Sequence, residues 1–333
     1  MLESHKTLTP TNTKIVIPGD FPMHIGNSKH IERLKQYGDV TVYSTMPENP
    51  DDQIKRCEDA DIVLNSRSTL TWSGATLRQL PNLRLISTTS VGLDNIDLAA
   101  ASELNIAISH QRGNTAAIVA EHEFALLLAV ARKIPQHDKR IRENIWEPDE
   151  GKHLFLKGKT IGIIGMGNTG MLMAKYAETF DMKVISWTFN PTKALDFPIN
   201  VQFLEFDSVL QQADVISIHT ALSEKTHHLI GERELNLMKK GSIIINGSRG
   251  GVIDTDALVE SLRTNHLYGA GLDVFEIEPL DSDHPLKLMD NVVLTPHSAD
   301  ATPEGLEYLN RDAVDHIIEF LEGDFSNLYQ PYA

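Results

Sequence analysis

Six residues, Gly165-Met166-Gly167-Asn168-Thr169-Gly170, carry the sharpest local chemistry in the chain. Their G-x-G-x-x-G spacing suits a turn that holds a pyrophosphate, but such a match means little without its surroundings. Here it follows an apolar run, KTIGII, and opens a helix-like segment, NTGMLMAKYAETF, the context that phosphate binding requires. Gly165 permits the tight turn, Gly167 lets backbone approach the phosphates, and Gly170 lets helix pack on strand. The amides of Asn168 and Thr169 then point at phosphate from a helix start, where partial positive charge gathers. A dinucleotide site usually adds an acid about 20 residues further on, for the adenosine ribose 2′-OH. The next strand reads VISWTFN (184–190), and Thr188 stands where that acid is expected. Nothing there repels a 2′-phosphate, and Thr188, Asn190 and Lys193 are placed to touch one. No arginine directly follows, so the sequence leaves NAD and NADP both open.

Such a turn needs a parallel sheet behind it. A series of apolar runs begins at Lys159: TIGIIG, VISWT, DVISIH, SIIIN, GAGLD and VVLT. The first third of the chain shows the same alternation of apolar runs with helical stretches: KIVIP, VTVYS, DIVLN, LISTT and IAIS. Continuous apolar strands separated by helices predict parallel sheets covered on both faces. The pattern therefore predicts two doubly wound α/β units. An Ala- and Leu-rich helix over 115–133 joins them, and the polar stretch after it reads as a surface connection. A final helix over 304–322 places Leu306, Leu309, Ala313, Ile317 and Phe320 on one side at helical spacing. It is expected to return to the first unit, which makes that unit discontinuous: 1–113 with 300–333, around a nucleotide-binding unit over 114–299.

Bulk properties narrow the function. The chain has 333 residues, 41% of them hydrophobic and 23% charged, an ordinary globular composition. A net charge of -16 repels nucleic-acid backbones, so no such partner is expected; an anionic substrate would need local cations to capture it. Cys57 is the only cysteine and makes neither an intrachain disulfide nor a multi-thiolate metal site. The polar stretch 1–14 has no signal-like apolar segment. The longest apolar run (124–131) falls far short of the roughly 20 residues that span a bilayer, so a cytoplasmic protein is expected. No HExxH or similar spacing implies a metal, and the His227-His228 pair reads as surface.

The glycine turn, NGSRGGVID (246–254), GAGLDVFEIEPL (269–280) and LTPHSA (294–299) together resemble the D-isomer-specific 2-hydroxyacid dehydrogenase family, as do SVGLDNID (90–97) and VAEHEFALLLAVAR (119–132). The resemblance covers nearly the whole chain in the family's order. It implies a flavodoxin-like substrate domain built from both chain ends and a Rossmann nucleotide domain between them. It implies hydride exchange between NAD(P)(H) and C2 of a small D-2-hydroxy acid or 2-keto acid, as in glyoxylate or hydroxypyruvate reduction, and usually a homodimer formed through nucleotide domains, with the 119–132 helix contributing.

The resemblance also implies a catalytic set, Arg249, Glu278 and His297. A 2-keto acid carries a carboxylate beside its carbonyl, and a guanidinium can hold both carboxylate oxygens. Imidazolium can give the carbonyl oxygen its proton in reduction, and imidazole can take it back in oxidation. A carboxylate beside the imidazole favours its charged form and fixes the ring. By the same resemblance, Ser90, Val91 and Gly92 bind the substrate carboxylate through backbone amides. Asp273 contacts the nicotinamide carboxamide. His219, Thr220 and Ala221, with Thr226, pass beside the cofactor, and Gly247 and Ser248 line it with Arg249 and His297. Three residues depart from the family pattern: Thr188 replaces an acid, Leu93 a common tyrosine, and Asp300 a small residue after His297. Leu93 is expected to widen or dry the pocket, and Asp300 to alter the histidine's surroundings. Phosphoglycerate oxidation is an option too, although nothing after the last helix could form a separate regulatory domain. Formate oxidation is disfavoured by Glu278 itself. The alternative from another class is a dinucleotide-sensing, corepressor-like interaction protein, against which the intact catalytic set argues. A cleft between the domains that closes on substrate is a further expectation.

Overall fold

The structure is a computed structural model that describes residues 13–68, 70–147, 153–190 and 200–329. Lys193, named above as a possible phosphate contact, lies outside them, as do residues 1–12. The chain divides into two compact units, Met1–Asn114 with Thr302–Ala333, and Thr115–Ala301.

The first unit holds β1 (Lys14–Ile17), β2 (Asp39–Val42), β3 (Ile62–Asn65), β4 (Leu85–Thr88) and β5 (Ala107–Ser109). They form one parallel sheet in the order β2-β1-β3-β4-β5. Every residue of β3 and β4 is buried, which is why their sequences are apolar runs and not alternations. The helix Pro303–Glu322 belongs to this unit; Thr302 caps its start, and Gly323, at φ 88, ends it. Its buried Leu309, Ala313, Ile317 and Phe320 recur at helical spacing, and the last three pack with Ile15, Ile17, Leu64 and Leu85. Burying each of the larger side chains contributes about 1.5–3 kcal/mol. Leu306, expected on that face, is only partly buried.

The second unit holds β6 (Thr160–Ile164), β7 (Lys183–Trp187), β8 (Val201–Phe203), β9 (Val215–Ile218), β10 (Ile243–Asn246), β11 (Gly269–Leu272) and β12 (Val292–Leu294), all parallel, in the order β12-β11-β10-β9-β6-β7-β8. The short edge strand β8 escapes the sequence reading because three residues carry no usable period. The strands run outward from β6 on one side and then from β9 on the other. The β6/β9 boundary is thus the switch point at which open α/β sheets bind ligands. Register places Ile164 beside Ile218, Ile218 beside Asn246, Asn246 beside Leu272 and Leu272 beside Leu294. The residues that follow therefore leave the sheet along one edge.

The helix Ala116–Arg132 covers this sheet, burying Phe124, Leu126, Leu127 and Val130, and stops at Lys133, which is left-handed at φ 52. The stretch read as a plain surface connection instead begins with a second helix, Ile134–Arg142. Pro135 sits in its first turn, and Asp138 pairs with Arg142 at 2.8 Å one turn on. It buries no residue, which is why it shows no apolar stripe in the sequence. Among the described residues, no helix is long and apolar enough to cross a membrane.

Candidate active site

At the end of β6 the backbone turns at Gly165, with φ +97, and its N–H reaches Trp187 O at 2.9 Å. A Cβ there would lie 2.8 Å from His219 O, so a side chain would push the β6 and β9 loops apart. A Cβ on Gly170 would strike the Gly165 carbonyl. Gly167 differs: nothing lies within 4 Å of where its Cβ would be. The protein itself does not need glycine at 167. Its bareness leaves a cradle at the start of the Asn168–Thr179 helix, which fits a pyrophosphate. Thr188 follows β7 half-buried, and Asn190 is exposed.

The loop after β9 is braced from below. His219 donates its backbone N–H to Ile164 O at 2.7 Å. Its ring lies between Ser217 Oγ, 2.9 Å from Nε2, and Glu123 Oε2, 3.0 Å from Nδ1. Both side chains are 1% exposed, and the Nδ1 contact is close without hydrogen-bond alignment. A Cβ on Gly247 would overlap Glu123 Oε1 at 2.5 Å, so Glu123 wedges beneath the loops of β9 and β10 together. Thr226, expected beside the cofactor, is buried, and its hydroxyl donates to Ala221 O at 2.6 Å; it shapes the 221–226 turn. Thr220 is half-buried and Ala221 exposed.

After β10, Asn246 organises the turn. Its Oδ1 accepts from Ser248 N at 3.1 Å and Ser248 Oγ at 2.8 Å, and its Nδ2 donates to Arg249 O at 3.0 Å. Arg249 Nη1 donates to Ser248 O at 2.8 Å, so its side chain folds over its own turn. Gly250 lies directly against the backbone of Phe275, which brings the loops after β10 and β11 together.

Asp273 directly follows β11 and is fully buried. Its carboxylate accepts from Thr295 Oγ1 at 2.6 Å, Ser298 N at 2.9 Å and Ala299 N at 2.9 Å. His122 Nε2 stands 2.9 Å from Thr295 Oγ1 and 3.5 Å from Asp273 Oδ1. Burial alone would raise the Asp273 pKa, but these donors hold it below the usual carboxylate value, and the same contact raises His122 above the ordinary histidine value. His297 donates its backbone N–H to Asp273 O at 2.7 Å and is held left-handed, at φ 50, an unfavourable conformation for a side-chain-bearing residue. Its Nδ1 lies 2.8 Å from Glu278 Oε2, and Glu278 Oε1 accepts from Phe275 N at 2.9 Å. The hydrogen bond to Glu278 raises the His297 pKa against burial and the Arg249 charge. Burial opposes ionisation of Glu278, but His297 and the Phe275 N–H keep its pKa low. With Nδ1 turned to Glu278, Nε2 is the nitrogen left for a proton transfer.

The structure thus gathers Arg249, Glu278 and His297 at one edge of a sheet and ties Asp273 to the same loop. In the first unit, Ser90, Val91 and Gly92 follow β4 at its carboxyl end. Gln111 N donates to Ser90 O at 2.9 Å, and His110 Nδ1 lies 2.9 Å from Val91 O. Among the described residues, the N–H groups of Val91 and Gly92 have no acceptor. Leu93, expected to face the pocket, is partly buried against the core around Trp72 and Ile96. A concavity of about 530 Å³ opens elsewhere, at the amino ends of β6, β9 and β10, lined by Lys159, Asp214 and Lys239, and none of the residues above borders it.

His122 and Glu123 escaped the sequence reading. For Glu123 a signal existed: it sits among Ala120, Phe124 and Leu127 on the buried side of its helix, where a lone charge needs a partner. His122 finds Thr295 only across 173 residues, which no local pattern shows.

Residues 124–299, more than half of the chain, match the family described as D-isomer specific 2-hydroxyacid dehydrogenase, NAD binding domain. The chain is 38% identical over 301 residues to a glyoxylate reductase of Thermofilum pendens, covering 88% of each protein. It is 40% identical over 243 residues to a hydroxypyruvate reductase of Thermotoga maritima, covering 72% of this chain and 78% of that one. An acyclic imino acid reductase solved with NADPH and D-Arg superposes with a TM-score of 0.85 at 30% identity, covering 96% of this chain and 100% of that one. A dinucleotide cradle, a paired histidine and these relatives converge: the chain belongs to the D-isomer specific 2-hydroxyacid dehydrogenase family and is an NAD(P)-dependent oxidoreductase of 2-hydroxy acids.

Proposed function

We propose that this enzyme reduces a small 2-keto acid of the glyoxylate or hydroxypyruvate type to its D-2-hydroxy acid. The observation that carries the proposal is the His297–Glu278 pair, 2.8 Å apart, within reach of the Arg249 charge. Arg249 holds the substrate carboxylate with its guanidinium. The residues of the glycine turn would hold a dinucleotide whose nicotinamide would supply or accept the hydride at C2. His297 Nε2 gives the carbonyl oxygen its proton in reduction and takes it back in oxidation. Glu278 positions the ring and favours its charged form. The glycine turn with Asn168 and Thr169 holds the pyrophosphate, Thr188 and Asn190 the adenosine ribose, and Thr220, Ala221, Gly247, Ser248 and Asp273 the nicotinamide side, with His219 and Thr226 bracing their loop. Initial rates at 340 nm with NADH and NADPH against a panel of 2-keto acids test this, beside a His297→Asn control. Turnover with glyoxylate or hydroxypyruvate that collapses by about 10²–10⁴-fold in the control is expected. Full activity in the control would assign the proton to another group.

We also infer a homodimer formed through the nucleotide-binding unit. The Ala116–Arg132 helix spends much of its apolar surface inside its own unit, but the segment after it exposes Ile134 (57%), Ile141 (50%) and Trp146 (85%). Apolar groups this open favour burial against a second copy. A monomeric mass by light scattering at assay concentration would reject the dimer.

A further inference from the structure

The fold brings together three side chains that the reaction above does not use. His227 and His228 stack ring on ring, with centroids 4.0 Å apart. Glu276, nearly fifty residues later, arrives from the loop after β11 and places Oε1 2.6 Å from His228 Nε2. One donor atom from each of the three lies within 4.8 Å of the others. The His228 and Glu276 side chains are 36% and 32% exposed, so an ion can reach them from solvent. Asp254 Oδ2 stands 3.9 Å from His228 Nδ1, beyond hydrogen-bond distance but near enough to add negative charge beside the site.

We propose that His227, His228 and Glu276 form a surface site for a divalent transition ion of the Zn²⁺ class, separate from the catalytic set. Two imidazoles and one carboxylate suit a borderline-soft cation, whereas Mg²⁺ and Ca²⁺ prefer all-oxygen shells. Tetrahedral ligation at about 2.0–2.2 Å per bond spaces donor atoms about 3.4 Å apart. The His228–Glu276 contact is tighter than that, so a bound ion would replace this hydrogen bond and spread the pair. Backbone geometry prepares the site: His228 is left-handed at φ 50, and its N–H is held by Gly251 O at 2.9 Å. Bound metal would tie the 227–228 turn to a residue two positions before Glu278. The sequence reading of the histidine pair as plain surface lacked the third ligand, which only the fold supplies.

Titration calorimetry of the full chain with ZnCl₂, without dinucleotide or keto acid, tests the site. One ion per chain is expected, with MgCl₂ silent at the same concentrations. His228→Ala, Glu276→Gln and the exposed His227→Ala should each weaken binding at least tenfold while melting within a few degrees of the parent. His297→Asn should bind like the parent. No heat with Zn²⁺, equal binding of Mg²⁺, unchanged affinity in His228→Ala, or loss of the ion in His297→Asn would each overturn the assignment. None of these readouts depends on turnover, so the site stands or falls apart from the proposed reaction.

Discussion

Replacing Glu278 by glutamine keeps the shape of the side chain and removes its charge. In the parent, the His297 ring faces a carboxylate across 2.8 Å. A hydrogen bond to a charged partner contributes about 1.5–3 kcal/mol and a neutral one about 0.5–1.5 kcal/mol. The substitution therefore removes about 1–1.5 kcal/mol of support for the imidazolium. The two side chains are 47% and 35% exposed, so solvent screens the pair and favours the lower end. At about 1.4 kcal/mol per decade, reduction should slow roughly five- to tenfold at neutral pH. The pH profile is the sharper readout. Glu278 raises the His297 pKa, so the parent keeps its proton donor until pH climbs through that raised value. In Glu278→Gln the alkaline fall in reduction should begin at lower pH, while oxidation, which needs neutral imidazole, should set in at lower pH. Initial rates in both directions across pH 5.5–9.5 would show it. Superimposable profiles for parent and variant would refute the pairing as the source of the shift.

Gly167→Ala should leave the melting temperature nearly unchanged, because its Cβ meets nothing, yet weaken dinucleotide binding at least tenfold by calorimetry. Gly170→Ala should cost about 1–3 kcal/mol of stability in urea unfolding, since its Cβ strikes the Gly165 carbonyl. Equal effects of the two substitutions would refute the reading of the turn. Arg249→Lys keeps a charge but loses the planar fork; KM for the keto acid should rise at least tenfold while dinucleotide affinity holds. Thr188→Asp should lower kcat/KM for NADPH at least tenfold relative to NADH; an unchanged ratio would place the adenosine ribose elsewhere.

Much of this architecture is local and therefore legible in sequence. Strands buried on both faces, such as β3 and β10, read as apolar runs, and the turn at 165–170 announces itself through glycines with strand before and helix after. The Pro303–Glu322 helix betrays its packing face by period alone. Arg249, Glu278 and His297 were found through motif context, because their meeting depends on three separate strands ending in one row. What stayed hidden has the same cause. Glu123 beneath His219, His122 beside Thr295 and Glu276 beside His228 are contacts made by topology between distant segments. The helix Ile134–Arg142 stayed hidden for the opposite reason: it buries none of its residues, so no apolar stripe marks it.

Asp273 constrains how this enzyme can diverge. Its carboxylate holds Thr295, Ser298 and Ala299 and its backbone carbonyl holds His297, so one residue anchors the whole segment that presents the proton donor. A drifting lineage could exchange loop residues around the substrate one at a time, but a change at 273 would release Thr295, Ser298 and Ala299, on both sides of His297, in the same step. A single mutation there would therefore remove three anchors of the proton donor's segment at once.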